Sequence, residues 1–329
     1  MTTNIPTVLA IDQGGTKIVV AEVDRQGHLH QQMKFASDVG TQALATKQII
    51  NAIDNYLSHP HYGQIQQISV STVGRINADT GYWYEIDPGR CEPIDLAGAI
   101  TEQFGIPAIA ANDVYSATYA ENKVGIGRGT ADFIYLNLGT GIAGRIVENN
   151  RILTGAHFDA GEVGHMSVDI HSTDKCVCGR YGCVEPIASG LGISTKARVL
   201  IEEGAKTELK VEENGRVGAE QLFSAYDNGD LVAIEVMDEA LIALAVLIEN
   251  LIRTSDPDAV VIGGGTSNGN WLIDRICARI TPETTRLMKM GIVKSQINPN
   301  NISIVGAGLR GFETGVKVDV NSRGIAEDK

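Results

Sequence analysis

The sequence predicts an α/β protein of two domains, on three observations. A length of 329 residues, at about 150 per domain, makes two the natural count. Strand-like and helix-like apolar stretches alternate along the chain, the pattern of α/β layers. One device also occurs twice: Leu9–Val20 and Tyr135–Val147 each read as strand, Gly-rich turn, strand. The repeat suggests a duplicated fold, with two unrelated hairpins as the rival explanation. Apolar residues make up 43% of the chain and aromatics 5%, while glycine occurs 37 times, so the layers should be aliphatic and joined by tight turns.

Taken in order, Val8–Ile11 is a buried-strand run, Gln13–Gly15 turns the chain, and Lys17–Val23 is a second strand with Leu29–Phe35 beside it. Thr41–Leu57 carries Ala45, Ile49, Ile53 and Leu57 at helical spacing and ends near His59-Pro60. Ile65–Val73 reads as a strand, Ile94–Phe104 as a helix stopped by Gly105-Ile106-Pro107, Ala108–Ala111 as a short strand and Val114–Asn122 as a helix. Phe133–Leu138 and Ala143–Val147 are strands around Gly139-Thr140-Gly141. Leu231–Thr254 is a long apolar-rich helix, and Ala259–Ile262 is a strand that runs into Gly263-Gly264-Gly265. The chain closes with an apolar run, Ile302–Val305, a last helix from Gly306 to near Val316, and a polar tail, Asn321–Lys329, expected to fray.

A net charge of −13, with no Lys/Arg run to offset it, argues against nucleic acid and against an anionic membrane as partner. The longest apolar run, Ala240–Ile248, is too short to cross a bilayer. The N-terminus has neither the basic nor the apolar segment of a signal peptide, so a cytoplasmic location is expected. Cys176, Cys178 and Cys183 cluster while Cys91 and Cys277 stand alone; a disulfide framework would spread and pair them, and a tight cluster reads as metal.

The turn Asp12-Gln-Gly14-Gly15-Thr16-Lys17 lets backbone N–H groups approach an anion, with a hydroxyl from Thr16 and a cation from Lys17. Asp12 at the strand end suits Mg²⁺ held through water. Gly139-Thr140-Gly141 is expected to face that turn across a cleft. Gly264-Gly265, after a strand, can open a helix N-terminus toward a nucleotide. Each of these is also an ordinary tight turn when read alone. Neither GxGxxG leading into a helix nor GxxxxGK[ST] occurs, which disfavours Rossmann and P-loop folds.

His165-x10-Cys176-x-Cys178-x4-Cys183 supplies three thiolates and an imidazole, the closed donor set of structural Zn²⁺. Gly179 and Gly182 let the chain fold round the ion, and His171 is the rival fourth ligand. A closed site braces a loop and leaves no position for a reacting water. Asn112-Asp113 sits between a short strand and a helix, where either residue can be an N-cap and a carboxylate can also take a proton from a substrate hydroxyl. Glu162 and Glu185 flank the metal loop and can clamp vicinal hydroxyls, or be solvated loop charges.

Together, Asp12-x-Gly-Gly-Thr-Lys17, Asn112-Asp113, Leu138-Gly-Thr-Gly141, Gly161-Glu-Val-Gly-His165, Cys176-x-Cys-Gly-x-x-Gly-Cys-x-Glu185 and Ile262-Gly-Gly-Gly265 resemble the ROK family of repressors and sugar kinases. The resemblance covers most of the chain. It implies an α/β, two-domain actin-like ATPase (ribonuclease H-like) fold, with ATP and sugar meeting in the interdomain cleft. It also implies a domain of residues 1–115 completed by a C-terminal helix over 305–320, a second domain over 116–304, a Zn²⁺-braced sugar loop, and a homodimer. By position Asp113 matches the family's catalytic base, and Asn112, Glu162, His165 and Glu185 match sugar contacts. Asp12, Gly14, Gly15, Thr16, Lys17, Gly139, Thr140, Gly141, Gly264 and Gly265 match the Mg²⁺-ATP side.

Three features depart from the family pattern. Arg145 stands where the family usually has more glycine, and its guanidinium either reaches a phosphate or crowds it. Segment 81–93 lacks the usual Asn-containing sugar loop, and Ser71–Arg75 lacks Gly-x-Pro-Gly. The leading expectation is an ATP-dependent kinase acting on the 6-hydroxyl of a hexose or N-acetylhexosamine. Ser71-Thr-Val-Gly and Cys178–Gly190 resemble bacterial N-acetylmannosamine kinases, whereas Glu162 is more typical of glucokinase-type members. The alternative is a catalytically inactive sugar sensor. A repressor needs a basic helix-turn-helix ahead of the first strand, and here that strand is reached by Thr7.

Overall fold

The computed structural model describes residues 3–267 and 269–313. They form two units: residues up to Ala120 together with those from Ser303 onward, and Glu121–Ile302. The expected end of the last helix beyond residue 313, and the polar tail, lie outside the described residues.

The first unit comprises β1 (Pro6–Gln13), β2 (Lys17–Val23), β3 (Leu29–Ala36), α1 (Gln42–Leu57), β4 (Gln64–Thr72), β5 (Arg75–Ile76), β6 (Tyr82–Glu85), β7 (Ile94–Asp95), α2 (Leu96–Phe104), β8 (Ala108–Asn112) and most of α3 (Asp113–Val124). Its five-stranded sheet runs β3-β2-β1-β4-β8. β1–β2 and β2–β3 are antiparallel, and β1–β4 and β4–β8 are parallel. Leu9, Ile11, Ile18 and Val20 on one face pack with Ile49 and Ile53 of α1 and Ile100 of α2. Ala10, Val19, Ala21 and Val23 on the other face pack with Ile304 and Ala307 of the closing helix, Ile302–Gly311. Both faces are therefore covered, which is why these strands read as continuous apolar runs instead of alternating ones.

The second unit holds β9 (Phe133–Leu138), β10 (Ile142–Glu148), β11 (Arg151–Ile152), α4 (Val184–Ala188), α5 (Gly190–Glu202), α6 (Ala219–Asp227), α7 (Leu231–Ser255), β12 (Ala259–Gly263), α8 (Trp271–Cys277), α9 (Pro282–Thr285) and β13 (Gly291–Lys294). Its sheet order is β11-β10-β9-β12-β13, with an antiparallel first half and a parallel second half. Strand for strand this is the order and direction of the first sheet. The two hairpins are thus the opening of one fold used twice, and the rival of unrelated hairpins falls. The buried face of α7, from Val232 to Ile252, packs with Leu136, Val260 and Ile262.

Local signals explain most boundaries. Thr41 caps α1 by accepting the Leu44 N–H, and Gly105 ends α2 at φ 66°. One expectation is corrected. Ile302–Val305 is the first turn of the closing helix and not a separate run: Gly306 and Gly308 let that helix lie close against Ser116 O and Val23, where a Cβ would stand 1.7 Å and 2.3 Å away. Within segment 81–93, to which the sequence reading assigned no element, Tyr82–Glu85 forms the middle strand of a small sheet, β5-β6-β7. Buried Gln42 ties it to α1, donating to Trp83 O and accepting from Glu92 N.

Candidate functional site

In the first unit the parallel strands β1, β4 and β8 end side by side. Asp12 lies opposite Ser71, and Thr72 opposite Asn112. Ligands of open α/β sheets sit outside such carboxyl ends. The β1–β2 turn closes with a Gly14 N–H to Lys17 O bond of 3.0 Å, and a Cβ on Gly15 would meet nothing within 4 Å. Gly15, Thr16 and Lys17 are exposed. Buried Gln13 locks the base of the turn, donating to Ala45 O and accepting from the Thr72 hydroxyl.

Asn112 is the N-cap of α3: its Oδ1 accepts from Val114 N at 2.9 Å and Tyr115 N at 3.2 Å, and its Nδ2 donates to Gly74 O at 3.0 Å. Asp113 is the first residue of the helix, with Oδ1 accepting from Val114 N at 2.9 Å. The capping role, open between the two in the sequence, belongs mainly to Asn112, whose amide is therefore turned toward the backbone.

Burial pushes the Asp12 carboxyl up to about 7, the Asp113 charge adds to the rise, and Ser71 and Lys17 only partly offset it. A buried carboxylate beside a second negative charge is suited to a cation. The folded state holds a proton that the unfolded state releases above its ordinary carboxylate pKa near 3.8. The associated stability is complete below that value and is lost as pH rises through about 7. Asp12→Asn should therefore raise the melting temperature at pH 8 in metal-free buffer and leave it nearly unchanged at pH 4. Equal melting curves for both proteins at pH 8 would contradict this.

In the second unit the β9–β10 turn is held by neighbouring backbone: Gly190 N donates to Gly139 O at 2.8 Å and Leu191 N to Thr140 O at 3.1 Å. Glu185 Oε2 accepts from Ile142 N at 2.9 Å, and a Cβ on Gly141 would stand 2.6 Å from that oxygen. The structure thus joins a predicted sugar carboxylate directly to a predicted phosphate turn. Gly141→Val should displace Glu185 and lower kcat/KM for ATP by at least about tenfold; unchanged ATP kinetics would count against both assignments.

Gly264 has φ +93°, and its Cβ would meet Leu138 O at 2.3 Å; Gly265 borders open space. Gly263-Gly264-Gly265, where β12 ends, do not open an α-helix as expected. A 3₁₀ turn, Gly265–Ser267, follows, and α8 begins at Trp271. Gly263–Gly265 and Lys294–Asn300 instead line a pocket of about 520 Å³. The second wall was missed in the sequence because β13 is four half-buried residues with no apolar run. The Asn298-Pro299-Asn300 turn signal was its one mark.

His165, Cys176, Cys178 and Cys183 come together, with ligand atoms all within 4.8 Å of one another. His165 ends a 3₁₀ turn, Val163–His165, and its Nδ1 lies 3.4 Å from Cys176 Sγ. Cys176 and Cys183 are buried and Cys178 is exposed. Gly182 is required here, since it has φ +70° and a Cβ would stand 1.8 Å from Asp169 O. Burial and the neighbouring sulfurs push the Cys183 thiol up to about 12, while the Arg180 backbone N–H draws Cys178 down. Three thiols and an imidazole gathered within 4.8 Å of one another are the donor set that fits Zn²⁺. His171 is exposed and lies outside the group.

Glu162 precedes the 3₁₀ turn and is exposed. Arg145 is buried, and its Nη1 lies 2.3 Å from where a Cβ on Gly161 would stand. The guanidinium therefore packs beside the Glu162 loop, where the sequence had suggested a role on a phosphate.

The ROK family profile matches residues 8–308. A glucokinase of Halalkalibacterium halodurans is 33% identical over 266 residues, covering 79% of this chain and 80% of that protein. An N-acetylmannosamine kinase of Escherichia fergusonii is 30% identical over 261 residues, covering 78% and 82%. The crystal structure of a ROK family glucokinase from Streptomyces griseus in complex with glucose and AMPPNP superposes with TM-score 0.75 at 24% identity, over 93% of this chain and 99% of that one. That likeness shows the fold, the two-domain actin-like ATPase fold. By profile, by sequence identity and by fold, the chain belongs to the ROK family.

Proposed function

We propose that the protein is an ATP-dependent sugar kinase that phosphorylates the 6-hydroxyl of a hexose or N-acetylhexosamine. The observation that carries this reading is the first unit's strand ends. Asp12, the β1–β2 turn and Asn112-Asp113 meet at the carboxyl edge of three parallel strands, and the two carboxylates feel each other's charge. Asp113 accepts the hydroxyl proton as general base. Thr16, Lys17 and the backbone N–H groups of both glycine turns hold and neutralise the transferring phosphoryl group. Asn112, Glu162, His165 and Glu185 orient the sugar, and Gly264-Gly265 borders the nucleotide. Asp12 would hold Mg²⁺ together with ATP, which would supply charge neutralisation, and His165, Cys176, Cys178 and Cys183 would hold a structural Zn²⁺, which would brace the loop that carries Glu162 and Glu185.

The two curated relatives, one named glucokinase and one N-acetylmannosamine kinase, leave glucose and N-acetylmannosamine-type sugars as the leading candidates. Among the described residues no helix is long and apolar enough to cross a membrane. A cytoplasmic homodimer is carried on family membership. Coupled ADP detection against hexoses, hexosamines and N-acetylhexosamines at equal concentration tests the substrate. The expected result is turnover concentrated on glucose or an N-acylated hexosamine. Turnover on free hexosamines alone would overturn it.

A further inference from the structure

Glu121 is buried without solvent exposure and has no part in the chemistry above. A buried carboxylate costs stability unless its oxygens are matched, and it calls for a reason. Both oxygens of Glu121 are matched within the second unit. Oε1 accepts from the Ser295 hydroxyl, and Oε2 accepts from Ile126 N at 2.9 Å. The fit is close enough that a Cβ on Gly125 would stand 2.0 Å from Oε2. Desolvation raises the Glu121 pKa, and the two donors offset part of that rise.

Ser295 is where this carboxylate meets the pocket. It lines the cavity and is itself buried. Its N–H donates to Ile262 O at 2.8 Å, fixing the wall to the end of β12, and its hydroxyl oxygen accepts from Ile297 N at 3.2 Å, setting the next turn. Asn298 O then accepts from Asn301 N and Ile302 N, where the closing helix starts. The wall Lys294–Asn300 therefore hangs from three points, and Glu121 is the one that fixes a side chain, Ser295, in place.

We propose that Glu121 is a positioning residue of the nucleotide pocket, holding the Lys294–Asn300 wall through the Ser295 hydroxyl so that the cavity beside Gly264-Gly265 is preformed for ATP. This rests on the reading above that these glycines border the nucleotide. A wall ordered before binding avoids the ordering cost at the moment of binding. Its loss should weaken ATP without touching the sugar or the chemical step. Glu121→Met removes both acceptor oxygens at similar length, whereas Gln would keep the link by donating to the Ser295 hydroxyl oxygen, and Ser295→Ala removes the same link from the other side.

The test uses the full chain, with a fluorescent ATP analogue for Kd and steady-state kinetics for KM. Gly265→Trp, which fills open space beside the pocket, should abolish nucleotide binding. Glu121→Met and Ser295→Ala should each weaken ATP about tenfold in Kd and KM. The double variant should be no weaker than either single one, because both cut one link. Sugar KM and kcat should stay within about twofold of the parent. If Gly265→Trp binds nucleotide normally, the nucleotide lies elsewhere, and the pocket assignment fails first. If Gly265→Trp loses binding while Ser295→Ala keeps it, or if sugar KM and kcat fall together with ATP affinity, Glu121 is a structural carboxylate and the proposal is overturned. Should Glu121→Met not fold, Ser295→Ala alone decides.

Discussion

Asp113→Asn should lower kcat by about 10²–10⁴-fold, the contribution typical of a positioned general base. Sugar Kd and melting temperature should stay near those of the parent. The α3 cap comes from Asn112, through bonds to Val114 N and Tyr115 N, so neutralising Asp113 leaves the helix start intact. The Asn side chain also retains an oxygen for the Val114 N–H that Asp113 now satisfies. Asn112→Ala is the contrasting variant. It removes the cap, at a cost of about 1 kcal/mol, and the bond to Gly74 O as well. It should lose stability and sugar affinity with a smaller fall in kcat. Near-normal turnover in Asp113→Asn would leave Asp113 as a helix-start residue and require another base.

Cys178→Ser should strip the metal and collapse the loop around it. Cys178 is the exposed member of the cluster, so replacing its sulfur with oxygen disturbs little packing, and the effect reports on the ion. Structural zinc contributes about 10–16 kcal/mol of apparent binding free energy in small zinc domains, and that energy is folding energy. Elemental analysis should give one zinc per chain in the parent and far less in the variant. The variant should also lose melting temperature and sugar turnover, because His165 sits on the same loop as Glu162, and Glu185 follows Cys183 by two residues. His171→Ala should keep its zinc. A parent protein without zinc, or a loss in His171→Ala instead, would contradict the ligand set.

The parts of the fold legible in the sequence were those fixed by local chemistry. Thr41 and Gly105 marked helix ends, and the two Gly-Thr turns marked hairpins that the sheets show to be duplicates. The metal cluster was legible because its cysteines lie close in sequence, so spacing alone brings the sulfurs together. What escaped depends on contacts far apart in the chain. β5-β6-β7 is built from very short strands, and Gln42 anchors it from α1. The last helix was expected to start only at Gly306, because Ile302–Val305 reads as an apolar run of its own, whereas the helix starts at Ile302 and the missing side chains of Gly306 and Gly308 let it pack. Glu185 read as a sugar ligand, and only the fold shows its bond to Ile142 N beside Gly141. Glu121 and Ser295 are 174 residues apart and carry no motif.

The most direct measurement is the fate of the phosphoryl group. The protein would be incubated with Mg²⁺-ATP and the best sugar of the panel, ADP would be quantified, and the phosphorus would be located on the product by ³¹P–¹H correlation NMR. The account predicts one sugar phosphate per ADP, with the phosphorus coupled to the protons on C6, and ADP release slowed by about 10²–10⁴-fold in Asp113→Asn. Sugar binding by the parent protein with no sugar-dependent ADP release would contradict it and make the protein a sugar sensor.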